Sequence, residues 1–343
     1  MQMEKNNYIL VTGGAGYIGS HTVVALIENG FTPVIVDDFR NAQRSVIQRL
    51  EELTETNLLV NDFSIHDKNQ LIQLFNKYPF SGVIHFAADK AVGESVENPL
   101  KYFNNNLGGL ISLLEVMIQF DNQKLVFSSS CTVYGTPDLV PVTEDTPTKM
   151  PESPYGFTKL MNEQMIHQVQ TAHPELNVAV LRYFNPIGAH LSGWIGEEPQ
   201  GTPNNLLPYI TQTAVGKRDF LTVHGNDYNT PDGSCVRDYI HVVDVAEAHV
   251  AALNFLNKRK VGIETFNLGT GKGTSVLEMI RFFDEISGMN LPFKVGSRRS
   301  GDVPEIYANT DKANEVLGWT AKRTVKDAIR DAWNYEQQAK EIQ

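Results

Sequence analysis

The stretch VTGGAGYIG (residues 11–19) joins an apolar run, YILVT (8–12), to a segment with helical periodicity, IGSHTVVALIENG (18–30). Gly13, Gly16 and Gly19 recur at intervals of three. In a strand–turn–helix unit the first glycine permits the tight turn and the second lets backbone approach a pyrophosphate. The third allows close helix–strand packing, and the helix N-terminus carrying Tyr17 and Ile18 faces the phosphates. An isolated glycine triplet suits any tight turn; its place between strand and helix marks a dinucleotide site. The next apolar run, PVIVDD (33–38), ends in Asp37-Asp38 at about the 20-residue spacing of a ribose-binding carboxylate. Such a carboxylate repels a 2′-phosphate and favours NAD over NADP. Arg40 and Arg44 lie close enough in sequence to oppose that preference.

Further apolar runs follow at LLVND (58–62), GVIHFAA (82–88), KLVFSSS (124–130) and NVAVLRYF (177–184), separated by helix-like segments. Strand–helix alternation predicts α/β architecture: a Rossmann-type, doubly wound parallel sheet, buried on both faces. Asp62 at the end of the third run could reach adenine, and Lys90 follows the fourth run at the ligand-binding edge of the sheet. After Phe184 the texture changes. NPIGAHLSGWIGEEPQGTPNN (185–205) is rich in turn formers and reads as an irregular, ligand-handling segment. Helices are expected near 206–217, 241–257, 275–287 and 325–339, with short strands near 220–223 and 264–268. The expected division is an NAD-binding domain over 1–184 and a smaller, mixed α/β substrate-binding domain over 185–343. Segments near 235–270 are expected to return to the first domain.

A net charge of −11 and a pI near 5.3 argue against nucleic acid or an anionic membrane as partner. An anionic ligand must then be met by a few placed arginines, lysines and backbone N–H groups. The two cysteines, Cys131 and Cys235, have no metal-ligand spacing, so no metal is expected. They fit a reduced, cytoplasmic setting. The opening MQMEKNNYILVTGG lacks the apolar core of a signal peptide, and no run approaches the ~18 apolar residues of a membrane span.

The reactive constellation lies downstream. KLVFSSSCTVYG carries Ser130 to the C-terminal edge of the fifth strand, and SPYGFTK (153–159) then sets Tyr155 four residues before Lys159. On a helix these two share a face, and an ammonium beside a phenol favours the phenolate. Together with a dinucleotide site, the set suits hydride transfer between NAD and a secondary alcohol, with tyrosine moving the proton. Gly13-x-x-Gly16-x-x-Gly19, Ser130 and Tyr155-x-x-x-Lys159 resemble the extended short-chain dehydrogenase/reductase superfamily. The motifs TGGAGYIGSHT, KAVGESV, SSSCTVYG, SPYGFTKLMNEQ, LRYFNPIGAH, PNNLLPYI, GNDYNTPDG, VRDYIHVVDVA and FNLGTGKGTSVLE resemble, in order, its UDP-glucose 4-epimerase family over nearly the whole chain.

That resemblance implies an isomerase that interconverts UDP-galactose and UDP-glucose. Tyr155 would take the 4-hydroxyl proton while the C4 hydride goes to NAD; Lys159 would hold the nicotinamide ribose and tune Tyr155, and Ser130 would bond the sugar oxygen. The 4-ketosugar would then swing and accept hydride and proton on its opposite face, with the cofactor retained. It also implies cofactor contacts from Gly13, Gly16, Tyr17, Ile18, Gly19, Asp37, Asp38, Asn41, Asp62, Phe63, Phe86, Ala87, Ala88, Lys90, Asn105 and Phe184. Substrate contacts are implied for Lys90, Asn185, Asn205, Leu206, Thr222, Val223, His224, Arg237, Arg299, Asp302 and Ile306. A homodimer is implied through LGGLISLLEVMIQF and GFTKLMNEQMIHQVQ, although core packing explains the same apolar pattern.

Ile306 is a departure. The family often carries tyrosine, or a small residue, where sugar size is gated. An isoleucine of intermediate volume leaves acceptance of UDP-N-acetylglucosamine and UDP-N-acetylgalactosamine open. Nucleotide-sugar 4,6-dehydratases use an Asp-Glu pair after the strand-five serine or threonine, where this chain has Cys131 and Thr132. Other epimerases, acting on UDP-glucuronate or UDP-xylose, are the alternative within the superfamily. A catalytically silent NAD-binding regulator is the alternative outside it.

Overall fold

The computed structural model describes residues 7–299 and 301–342. Six strands appear where the apolar runs predict them: β1 (Tyr8–Thr12), β2 (Thr32–Val36), β3 (Leu59–Asn61), β4 (Gly82–His85), β5 (Lys124–Ser130) and β6 (Asn177–Tyr183). A seventh, Ile263–Leu268, comes from late in the chain and pairs with β6. The sheet runs Ile263–Leu268, β6, β5, β4, β1, β2, β3, and every neighbouring pair is parallel. Chain order reverses between β1 and β4, and the carboxyl ends of those strands open a crevice where α/β sheets take ligands.

Both faces are covered. Helix α1 (Tyr17–Glu28) and the helix Val242–Lys258 close one side around Val23, Leu26, Val245 and Leu253. The helices Lys68–Lys77, Gly108–Gln119 and Pro154–Ala172 close the other around Leu71, Leu113 and Ile166. This double burial is why β1 and β4–β6 read as continuous apolar runs rather than alternating ones. In Gly108–Gln119 the apolar residues Leu110, Leu113, Leu114, Val116 and Met117 are buried in this core. They are thus unavailable as the docking face that the helix's apolar pattern also allowed.

A smaller apolar core lies under the helices Leu206–Ala214, Val276–Ser287 and Val325–Ile342. The strands Leu221–His224 and Phe293–Gly296 pair beside it. Leu206–Ala214 ends three residues before its expected limit, at the turn through Gly216. A π-helical turn, Phe103–Leu107, had no counterpart in the sequence reading; it buries Asn105 and Asn106 beside the crevice. Single π turns recur at functional sites because they re-aim side chains within a helix. Among the described residues no helix is long and apolar enough to cross a membrane.

Candidate active site

Gly13 leaves β1 at φ +73°, a conformation that disfavours a side chain, and its N–H donates to Val36 O at 2.8 Å. A Cβ there would stand 2.8 Å from Ala87 N, so the loop after β4 packs directly on the glycine turn. A Cβ on Gly19 would stand 2.2 Å from Gly13 O. No side chain caps the first turn of α1, whose free N–H groups open at the crevice. A narrow glycine cradle with uncapped helix donors fits a dinucleotide pyrophosphate.

The acids beyond β2 divide the work. Asp37 accepts from Ala15 N at 3.0 Å and Phe39 N at 2.9 Å, tying the glycine loop to the end of β2. Burial pushes its carboxyl up, against those two hydrogen bonds. Asp38 pairs with Arg40 at 2.5 Å, and Asp62 pairs with Arg44. The arginines that opposed an NAD preference are therefore neutralised by neighbouring acids. Arg40 also donates to Asn105 at 2.9 Å, and Asn41 donates to the Asp89 carboxylate at 3.1 Å.

Ser153 caps the helix Pro154–Ala172 by accepting from Gly156 N at 3.2 Å, with Pro154 in its first turn. A serine cap followed by proline is a strong local start signal. It sets Tyr155 in the first turn, beside the end of β5. Lys159, one turn further and buried, donates to Ser128 O at 2.7 Å and lies 5.3 Å from the Phe127 ring centroid. Burial lowers Lys159 to about 8, and Glu163 works in the opposite direction. Burial pushes the half-buried Tyr155 phenol up; Tyr183, Cys131 and Tyr102 add to this, while hydrogen bonding with Ser130 opposes it. The two positive charges expected to favour the phenolate, Lys159 and the ring of NAD, would therefore have to act against burial.

Beyond β6, Arg237 and Arg299 converge on one carboxylate. Asp302 lies 3.9 Å from Arg237 and 2.7 Å from Arg299. Paired forks of this kind match diphosphate oxygens. Ile306, only 5% exposed, belongs to an apolar cluster with Cys131, Leu160 and Phe184, which puts it beside the Ser130 strand end. Lys90 and Asn205 meet through Glu197, which accepts from them at 3.1 and 2.7 Å; no spacing in the sequence marked that glutamate. Tyr17 reaches from α1 to donate to Gly188 O at 2.7 Å, joining the glycine loop to the segment after β6.

The packing around several other expected contacts limits which of their atoms a ligand could reach. The Phe63 side chain packs in the sheet core and Val223 in the smaller core, leaving only backbone for a ligand. Leu206 also packs against the smaller core, while His224 is exposed and Thr222 half-buried on the same strand as Val223. Asn185 is engaged through its backbone, its N–H donating to Asp238 O at 3.0 Å. Phe86 packs on His249, with ring centroids 4.6 Å apart, and contributes backbone and one ring edge at most.

A family model described as GDP-mannose 4,6 dehydratase matches residues 10–332. A UDP-glucose 4-epimerase of Cyamopsis tetragonoloba is 52% identical over 95% of this chain and 94% of its own. A bifunctional UDP-glucose 4-epimerase and UDP-xylose 4-epimerase of Pisum sativum is 51% identical, covering 95% of each chain. The crystal structure of a UDP-glucose 4-epimerase from Stenotrophomonas maltophila, with bound NAD and formylated UDP-arabinopyranose, superposes with a TM-score of 0.95. It is 46% identical and covers 98% of this chain and 99% of that one.

Proposed function

Because the chain belongs to the NAD-dependent UDP-glucose 4-epimerases of the extended short-chain dehydrogenase/reductase family, we propose that Tyr155, Lys159 and Ser130 carry its interconversion of UDP-galactose and UDP-glucose. The observation that carries this assignment is the meeting of Tyr155, Ser130 and the buried Lys159 at one strand end, beside the glycine cradle. Bound NAD supplies the hydride acceptor and, on return, the donor. Ser130 orients the sugar's C4 oxygen toward Tyr155, whose phenolate takes the 4-hydroxyl proton as the C4 hydride leaves and gives it back as the hydride returns. Tyr155 must be ionised for the first transfer, its phenolic proton having passed to solvent before turnover. Lys159 supplies a fixed positive charge on the same helix face for that purpose.

Inverting C4 requires the 4-ketosugar to present its other face without leaving. Arg237 and Arg299 suit the role of gripping the diphosphate, braced by Asp302, while the sugar end meets mainly apolar wall at Ile306 and Phe184. We assign residues 1–184, with the returning segment near 235–270, to NAD binding and the remainder of 185–343 to the UDP-sugar. The Cys131 thiol is pushed up to about 12 by burial, and the buried Thr132 hydroxyl finds no partner. Neither can serve as the acid–base pair a dehydratase needs, so elimination of water has no agent here. A cytoplasmic homodimer completes the reading. Val96 and Leu100, 62% and 80% exposed, lie just before Gly108–Gln119, one of the two helices expected at its interface, and offer it apolar surface.

The test is an NMR time course of purified protein with UDP-galactose and no added NAD, repeated with NAD. UDP-glucose is expected in both tubes; none in either would refute the substrate pair. Sugar range is tested by the same assay with UDP-N-acetylgalactosamine. Relative to wild type, Ile306→Ser is expected to raise that turnover and Ile306→Tyr to lower it, each by about tenfold, as steric discrimination of this size allows. Equal rates across the three proteins would remove Ile306 from the sugar site.

A further inference from the structure

Beneath the catalytic helix lies a buried polar chain that the reaction as described does not use. Glu163, one helical turn beyond Lys159, receives both arms of Arg182: Nε at 3.0 Å to one carboxylate oxygen and an Nη at 2.6 Å to the other. Ser129 donates to the same carboxylate. The remaining Arg182 Nη donates to Tyr134 OH at 3.0 Å, Tyr134 donates to Asn267 at 2.7 Å, and Asn267 donates to Val142 O at 3.1 Å. Ser129, Arg182 and Asn267 stand at one level on three neighbouring strands. Glu163 and Arg182 are 6% and 7% exposed. Replacing a buried ion pair by apolar residues is often neutral or stabilising, so stability alone is a weak reason for this one.

We propose that Glu163, clamped by Arg182 and Ser129, is a positioning residue for the epimerase reaction, its carboxylate, fixed one helical turn away, favouring the charged form of Lys159. The inference rests on the role given to Lys159 above. Lys159 has a single hydrogen bond from the chain, to Ser128 O, which orients the ammonium but brings no charge. The ionisable groups around it are Tyr155 and Glu163 on its own helix, His85 on β4, and Arg182 and Tyr183 on β6. His85 is buried and neutral throughout the working range, lowered to about 3, and Tyr183 is pushed up to about 12. Arg182 spends its fork on Glu163. Among the described residues the carboxylate is thus the negative charge nearest along the helix to offset the desolvation of Lys159, and Arg182 and Ser129 fix its position.

The sign follows from Lys159 being lowered to about 8. The ammonium is present below that pH and lost above it, so wild-type holoenzyme should lose kcat as pH rises through about 8. Without the carboxylate, that fall moves to lower pH. For Glu163→Gln at saturating UDP-galactose, the ratio of wild-type to variant kcat is expected to grow about sevenfold between pH 6 and pH 8.5, as a one-unit displacement requires. Glu163→Asp, which keeps the charge, should recover most of the alkaline activity. If Glu163→Gln does not fold, the double variant Glu163→Gln/Arg182→Met, which leaves no unpaired buried arginine, gives the same readout. A loss equal at every pH, in whichever variant folds, would mean a structural role only and overturn the proposal. A wild-type profile without any alkaline fall would instead overturn the role of Lys159, and this inference with it.

Discussion

Tyr155→Phe is expected to keep its fold and its NAD while kcat falls by about 10³-fold, within the 10²–10⁴ range for removing a positioned general acid–base group. The substitution deletes one oxygen. The ring stays in the first turn of a helix whose start is held by Ser153 and Pro154, so packing should barely change. That oxygen is nevertheless the group proposed to exchange a proton with the sugar, opposite Ser130. The measurement is kcat for UDP-galactose, with NAD quantified after release from denatured protein and Tm compared with wild type. Unchanged turnover would remove Tyr155 from the chemistry. Lost NAD or a large fall in Tm would mean that the hydroxyl holds structure instead. The combination of intact fold, retained cofactor and lost turnover also separates an enzyme from a silent NAD-binding regulator.

The phenol's resting state gives this prediction its content. In the chain alone, burial and the neighbours Tyr183, Cys131 and Tyr102 all favour the protonated form, and Ser130 is the counterweight. The Tyr–Lys spacing was visible in the sequence, but this balance was not, because it depends on strands far apart in the chain.

The same distinction explains what else was legible. Parallel strands buried on both faces leave continuous apolar runs, so six strands and the glycine loop could be found by inspection. The seventh strand, Ile263–Leu268, is expected near 264–268 within a segment returning to the first domain, and its pairing with β6 sets it at the sheet edge. The individual acids at the cofactor end were found, whereas their partners were not. Asp38 meets Arg40 and Asp62 meets Arg44, pairings set by loop geometry that leaves no periodic trace. Glu197 illustrates the limit, since it joins Lys90 to Asn205 across 107 and 8 residues of chain. Glu163 was within reach, because its four-residue offset from Lys159 repeats the offset of Lys159 from Tyr155. What the sequence lacked was Arg182, whose opposing position on β6 makes that glutamate a fixed charge.

Gly19→Ala should strip the cofactor and weaken the fold together. The added methyl would sit 2.2 Å from Gly13 O and 2.9 Å from Gly14 Cα. Both are backbone atoms of the cradle, so no side-chain rotation can relieve the clash. Either α1 moves off β1, or the glycine turn deforms where Gly13 already packs against Ala87 N. The first costs core contacts of Val23 and Leu26; the second spoils the donors that meet the pyrophosphate. Overpacking of this kind costs about 1–3 kcal/mol, enough to lower Tm by roughly 1–4 °C in a chain of this size. NAD carried through purification should drop by at least about tenfold, since each 1.4 kcal/mol lost from binding is a factor of ten. Gly93→Ala is the matched control. Gly93 lies in the helix Val92–Glu97, and a methyl there would meet nothing within 4 Å. Helical alanine is favoured over glycine by about 0.5–1 kcal/mol, so this variant should be at least as stable as wild type and hold its NAD. Were Gly19→Ala to behave like Gly93→Ala, close helix–strand packing at the third glycine would not be what shapes the cofactor site.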